Sequence, residues 1–329
     1  MIVRDGGDEM SGGKWVEGLT PEMPVVDAAR AVLAARFELV REYLPLAATK
    51  PYEDSEHVHQ LRVGTRRAGA ALKAFASCLP KKRLAAAKRQ LRAIRRAAGG
   101  ARDWDVFIEG LPTARPLANA TGKPALDFLL GYALAERSAA QTRLSEAAAE
   151  VGTKFLEESP GILDHLREPE GHVLRTLSDL AGSHLTGLIV AFSEDLAQEE
   201  GPEEEAGARL HHLRIRAKQL RYAMEIFAGC FAAPLRDTLY PATEAIQESL
   251  GGWHDANVGI ERLEKLQEQA RAVAPEEWAR QRPGVTGLIR SLRSKRTSAR
   301  EKFVPVRNAW TQATAEHPIE GLLLTAQPV

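Results

Sequence analysis

The stretch that decides the fold is His59-Gln60-Leu61-Arg62-Val63-Gly64-Thr65-Arg66-Arg67, running on through Lys73 and Phe75 to Leu79. Wound as a helix at about 100° per residue, it gathers His59, Arg62, Arg66 and Lys73 within about 60° of one another. Leu61, Ala68, Leu72, Phe75 and Leu79 fall on the opposite side. One face is therefore cationic for about 21 Å, fourteen rises of about 1.5 Å, and the other is apolar. The apolar face fixes the helix against a core, and the basic face looks out to solvent or into a cleft.

The same pattern returns 152 residues later. That single ungapped offset carries His59, Leu61, Arg62, Arg66 and Phe75 onto His211, Leu213, Arg214, Lys218 and Phe227. It also carries Cys78 to Cys230, Ile94 to Ile246, Gly99-Gly100 to Gly251-Gly252, Asp103 to Asp255 and Val106 to Val258. In the second copy His211, Arg214, Lys218 and Arg221 form the basic stripe, opposite Leu213, Leu220, Met224 and Phe227. The pattern predicts an all-α fold of two pseudo-twofold-related four-helix bundles enclosing a basic cleft or pore.

Residues 1–20 read as a disordered leader. The first half occupies 21–155, a linker 156–171, the second half 172–313 and a tail 314–329. Apolar spacing predicts helices over Pro24–Ala48, Asp54–Ser77, Lys81–Ala98 and Thr121–Glu150. In the second half they are expected over His172–Gln198, Glu205–Gly229, Leu235–Leu250, Asp255–Ala272 and Glu276–Phe303. Gly99-Gly100 and Gly251-Gly252 read as helix stops, and Asp103 reads as the N-cap of the helix that follows.

Forty-four basic and 44 acidic residues cancel, but they are segregated. From His57 to Arg102 there are thirteen Lys or Arg and no acid, and Arg280–Lys302 holds eight against Glu301 alone. Acid collects elsewhere, at Glu199, Glu200, Glu203, Glu204 and Glu205. Such a distribution creates a local positive field that total charge hides. Two cysteines, Cys78 and Cys230, are too few for a disulfide scaffold and read as core thiols. Met1–Lys14 lacks an apolar signal-peptide core, and no apolar run approaches the ~18 residues of a membrane span. A cytoplasmic location is the expectation.

A solvated helix face ordinarily mixes charge signs, so that neighbours four apart assist one another. Thirteen unrelieved cations repel, and an anionic partner would remove that penalty. Arginine suits phosphate because its guanidinium donors meet phosphate oxygens bidentately. The candidate contacts are His59, Arg62, Arg66, Arg67 and Lys73, with Lys88, Arg92, Arg95 and Arg96 from the next helix. His211, Arg214, Lys218, Arg221 and Tyr222 come from the second copy, and Arg290, Arg293 and Arg296 from the C-terminal region, where Lys295 and Arg300 add charge. Each histidine opens its stripe one turn before an arginine, which favours a phosphate contact over an isolated surface role. No metal site is indicated, since neither histidine has a ligating partner four residues on. A phosphohydrolase or phosphotransferase using His59 or His211 is the rival reading. It lacks a carboxylate pair or glycine-rich phosphate loop on the stripes. Glu225 is the one acid there and reads as a salt-bridge partner. Nucleic-acid binding is the third reading, weakened by the scarcity of aromatics for base stacking.

These motifs resemble the conserved histidine α-helical domain, CHAD. Its histidine signatures read His59-Gln-Leu-Arg62-Val-x-x-Arg66-Arg67 and His211-His212-Leu-Arg214-Ile-x-x-Lys218-x-Leu-Arg221-Tyr222-x-x-Glu225. Its glycine–aspartate signature reads Gly99-Gly100-Ala-Arg102-Asp103-Trp-Asp105-Val106 and, less closely, Gly251-Gly252-Trp-His254-Asp255-Ala-Asn257-Val258. The resemblance spans about residues 25–310. It implies two pseudo-symmetric bundles around a basic pore, binding of inorganic polyphosphate without a cofactor, and association with polyphosphate granules. Gly69 stands where the family's first motif usually carries another arginine, whose repeat partner is Arg221, so the resemblance implies one fewer cation in the first half. Many family members carry an N-terminal triphosphatase-type β-tunnel; no Glu-x-Glu-x-Lys strand occurs here, and a stand-alone domain is expected. Oligomeric state has no sequence signal.

Overall fold

Three- and four-residue apolar spacing shapes each long helix in the computed structural model, which describes residues 13–169, 176–198 and 203–324. Residues 1–12 of the expected leader, 170–171 of the expected linker, the start of the helix expected from His172 and residues 325–329 of the tail lie outside the described residues. The helices are α1 (Val25–Thr49), α2 (Glu56–Ala74), α3 (Lys81–Gly110), α4 (Lys123–Ala147) and α5 (Thr153–Asp164). After them come α6 (Leu177–Ala197), α7 (Glu203–Phe227), α8 (Tyr240–Val273), α9 (Pro275–Glu316) and α10 (Ile319–Leu322). No strand occurs among the described residues, only isolated bridges at Pro24–Thr176 and Phe231–Leu323. The fold is all-α.

α1 buries Val25, Ala29, Leu33, Phe37, Val40 and Leu44, and α2 buries Leu61, Ala68 and Leu72. α7 buries Leu213, Leu220, Met224 and Phe227 against the same core. A short 3-10 turn follows each histidine helix, at Ala76–Cys78 and Ala228–Cys230, at the 152-residue offset. Contacts between α2 and α7 come in exchanged pairs. Arg67 meets Glu225 and Lys73 meets Gln219, and the offset maps 67 to 219 and 73 to 225. Phe75 packs on its own counterpart Phe227, ring centroids 5.9 Å apart.

One apolar core runs through both halves, from Val25 and Leu33 of α1 to Phe303 and Trp310 of α9. A second, smaller cluster joins Leu117 and Leu129 to Ile260 and Leu263 of α8 and to Val285 and Ile289 of α9. The long α8–α9 hairpin thus reaches back onto α4, and the halves do not keep separate cores.

Several boundaries differ from those the sequence predicts. Gly99-Gly100 and Gly251-Gly252 lie inside α3 and α8, and Asp103 sits mid-helix, not at an N-cap. Glycine ends a helix when it turns left-handed, and among the described residues only Gly18, at φ 75°, has positive φ. Buried Ile94, Ala98, Ala101 and Trp104 carry the apolar face of α3 across the pair, and packing outweighs the roughly 1 kcal/mol cost of each glycine.

Residues 13–20 are not a disordered leader. Arg36 binds the Gly13 and Lys14 carbonyls, Trp15 lies 4.8 Å from Tyr240, and Leu19 is buried. Leu19 passes so close to Gly229 that a Cβ there would sit 2.6 Å from its carbonyl oxygen. Residues 156–164 of the expected linker are helical, as part of α5, which follows α4 through a π turn at Ala148–Gly152. The expected tail packs too: α9 runs to Glu316, and Ile319 and Leu322 are buried.

Gly100 and Gly251 have open space where a Cβ would stand. Gly100→Ala and Gly251→Ala should therefore each stabilise the protein by about 0.5–1 kcal/mol, by removing backbone entropy from the unfolded chain. Urea denaturation measures it, and destabilisation would mean that these glycines serve a helix end after all.

Candidate polyanion cleft

The basic face of α2 does not look into open solvent. It borders a cavity of about 520 Å³ to which both halves contribute. α2 supplies His59, Arg62 and Arg66, α3 supplies Arg102 and Asp103, and α7 supplies Arg214. α8 adds His254, Asp255 and Arg262, and α9 adds Lys295. Arg62 and Arg214, 152 residues apart, border one space.

Each of these two arginines is held by a carboxylate of the glycine–aspartate signature. Arg62 donates to Asp103 at 3.0 Å, and Arg214 lies 3.7 Å from Asp255. The aspartates aim the guanidinium groups from mid-helix. Asp105 binds Arg137 of α4, and its counterpart Asn257 accepts from Arg296 of α9 at 2.9 Å.

The clamps do not neutralise the site. Burial, reinforced by Arg66, weakens the hold of Arg62 on its proton, and burial does the same at Arg214 despite Asp255. Arg214 Nε is buried with no acceptor. Lys218 feels the cluster most: burial and then Arg66, Arg214 and Arg62 push its ammonium down to about 6. Burial lowers His59, opposed by Glu56 and reinforced by Arg102, Arg62 and Arg66. His254 is lowered by burial and then Arg214. The site favours neutral imidazoles at His59 and His254 and a neutral Lys218.

Among the candidates, His59, Arg62, Arg66 and Arg214 line the cavity, with Lys218 inside their field. Arg95 extends the field along α3, lowered by burial and by Arg66 and Arg92. Lys73 and Lys88 make a second group at the far end of α2, where burial and Lys73 lower Lys88. Arg92, Arg96 and Arg290 are exposed on their helices, and His211 stacks near His254 at 5.3 Å instead of lining the cavity.

Three candidates point inward. Arg67 pairs with the buried Glu225 at 3.0 Å. Arg221 donates to Tyr240 at 2.9 Å and Glu244 at 3.1 Å, and sits 3.5 Å from Glu225. Tyr222 is buried beneath Arg221. These are framework residues because a buried carboxylate must be met by charge, and Glu225 takes the nearest. The glycine at position 69 therefore removes no cleft cation, since its counterpart Arg221 serves the framework. Arg293 and Arg296 are engaged by Glu264 at 2.7 Å and by Asn257.

Lys295, which the sequence offers only as added charge, lines the cavity together with Arg102, His254 and Arg262, which are not among the candidate contacts. Arg102 and His254 are related by the offset, and Arg262 lies seven residues after Asp255 on the same helix face, so both signals were present. Assigning the glycine pairs as helix ends hid them. Among the described residues, no group of three or more His, Cys, Asp or Glu is placed to hold a metal, and no helix is long and apolar enough to cross a membrane. Cys78 and Cys230 are free and buried.

The depressed ammonium of Lys218 gives a pH test. In the unfolded chain a lysine stays charged up to about pH 10.4. The folded site resists that charge, so the cost is full below pH 6 and fades as the pH rises towards the unfolded value. Lys218→Met should raise Tm most at acidic pH, with the difference narrowing towards about pH 10. A pH-independent difference in thermal scans would place Lys218 in solvent.

No curated protein matches the chain. In fold it is similar to the crystal structure of the CHAD domain from the plant Ricinus communis, with a TM-score of 0.70 and 21% sequence identity. That likeness covers 91% of this chain and 95% of that one. PptA from Streptomyces chartreusis is similar at a TM-score of 0.59 and 19% identity, over 89% of this chain and 99% of that one. The family model of the CHAD domain matches residues 31–264. With its paired histidine helices and glycine–aspartate clamps, this chain belongs to the CHAD domain family.

Proposed function

We propose that this chain binds inorganic polyphosphate in the cavity between its halves, as a non-enzymatic binding or scaffold protein of the cytoplasm and its polyphosphate granules. The observation that carries the reading is convergence. Arg62, Arg66 and Arg214, drawn from two helices whose motifs lie 152 residues apart, line one cavity, and Lys218 beside them is pushed down to about 6 by burial and then by those three arginines. Such crowding is unfavourable unless a dense anion occupies the space, and polyphosphate carries roughly one charge on each small unit. The unused Nε–H of Arg214 supplies a further donor for it.

The arrangement suits holding better than cleaving. Asp103 and Asp255 both pair with arginines, and Glu56 acts on His59 through its field. The protein should accordingly leave polyphosphate and nucleoside triphosphates intact when Mg²⁺ or Mn²⁺ is supplied. Phosphate release that His59→Ala or His211→Ala abolishes would establish the enzymatic reading instead.

Each charge-assisted contact to phosphate is worth about 1.5–3 kcal/mol, so Arg62→Ala and Arg214→Ala should each weaken binding about ten- to a hundredfold. Affinity should fall steeply with salt, and polyphosphate should outcompete duplex DNA in moderate salt. Lys123→Ala, an exposed residue outside the cavity, is the control; Lys14 is unsuited to that role because it packs on Tyr240. Titration calorimetry decides, and normal binding by both arginine variants would remove the site.

A further inference from the structure

The cavity holds more than cations. Val63, Val106, Phe107, Leu111, Leu288 and Leu292 also line it. Val106 is 48% exposed, unusual for a large apolar side chain in this protein. The two chemistries are separated along the helices. On α3, Arg102 and Asp103 come first, and Val106, Phe107 and Leu111 follow over about 12 Å. On α9, Leu288 and Leu292 precede Lys295. One end of the cavity is thus cationic and the other apolar, as in pockets for small organic ligands, which commonly occupy about 300–1,000 Å³.

Two further features fit a planar, hydroxyl-bearing ligand. Arg262 stands over the Trp104 ring at 3.8 Å from its centroid and 5.1 Å from that of Phe107. This cation–π contact anchors the guanidinium in the wall of a cavity that Leu288 and Leu292 of α9 also line. Asp103 and Asp255 retain side chains 51% and 69% exposed. Beyond aiming their arginines, these carboxylates have remaining lone pairs that a ribose hydroxyl or exocyclic amine would donate to, and an all-phosphate chain offers no such donor.

We propose that this cavity accepts a nucleoside triphosphate, with its phosphates among Arg62, Arg66 and Arg214 and its base between Arg262 and the apolar wall of Val106, Leu288 and Leu292. The assignment rests on the reading of the site as a phosphate cleft and names an organic ligand class for it.

Titration calorimetry at constant ionic strength, without divalent metal, would compare ATP, inorganic triphosphate and long-chain polyphosphate. Inorganic triphosphate carries more charge, so electrostatics alone favours it over ATP. Burying about 120 Å² of base surface outweighs that electrostatic preference, and ATP should bind about tenfold more tightly than triphosphate. Val258, the counterpart of Val106, lines the cavity as well, and in the double variant Val106→Asn, Val258→Asn that ratio should fall to one or below. Triphosphate binding as tightly as ATP in the natural protein would overturn the nucleoside assignment, and so would a preference for ATP that the variant leaves untouched. Polyphosphate binding that persists alongside either result would keep the phosphate cleft, whereas failure of all three anions to bind would remove both.

Discussion

A carboxylate taken out of water must be surrounded by charge and donors, and Glu225, 1% exposed, is the carboxylate around which this molecule is arranged. Arg67 reaches it from the first half, Arg221 stands one turn before it on α7, and the Tyr240 hydroxyl donates to it from α8. The N-terminal segment closes the group, with the Lys14 ammonium 4.1 Å above the Tyr240 ring and 3.6 Å from Glu244. Three helices and a segment before α1 are thereby tied to one point. Because Arg67 and Glu225 lie on α2 and α7, their pairing sets how the two histidine helices lie against each other. The residues that share the outer faces of those helices, Arg62 and Arg66 with Arg214 and Lys218, then have one space to occupy.

This division of labour was partly legible in the sequence. Helical periodicity gave the apolar faces of α2 and α7 correctly, because Leu61, Leu72, Leu213 and Phe227 are buried for the reason their spacing indicates. The 152-residue offset marked the paired positions of the cleft. Periodicity reports direction around a helix axis, however, and not what stands opposite. Arg66 and Arg67 are adjacent, yet one faces the cavity and the other a buried carboxylate 158 residues away. Nothing local distinguishes Arg221 from Arg214 either; only the arrival of Tyr240 and Glu244 does. The helix breaks were misread for a related reason. A glycine pair followed by aspartate has the composition of a stop and cap, and the buried Ile94–Trp104 face that overrides it is a tertiary fact.

The cleft also explains how a neutral protein can hold a strongly basic site. Its acids are not distant ballast, since Asp103 and Asp255 sit within it, each tied to the arginine it orients. Partial compensation keeps the empty site foldable while leaving Arg66, Lys218 and the second group at Lys73 and Lys88 uncompensated. Position, more than count, decides what each charge does: Arg67 and Arg221 are arginines like Arg66, yet they meet Glu225 within the framework while Arg66 lines the cavity.

The reach of the α8–α9 hairpin back onto α4 bears on how the chain can be made. During synthesis Leu117, Ala125 and Leu129 leave the ribosome long before their partners Val285, Leu288 and Ile289 exist. Until then the first half presents a sticky patch to its surroundings, a liability for aggregation that only the last fifth of the chain removes. A fragment ending at residue 264, where the family match stops, would keep that patch permanently and lose Phe303 and Trp310 from the main core. The boundary that defines the family by sequence is therefore not a boundary at which this polypeptide can be cut.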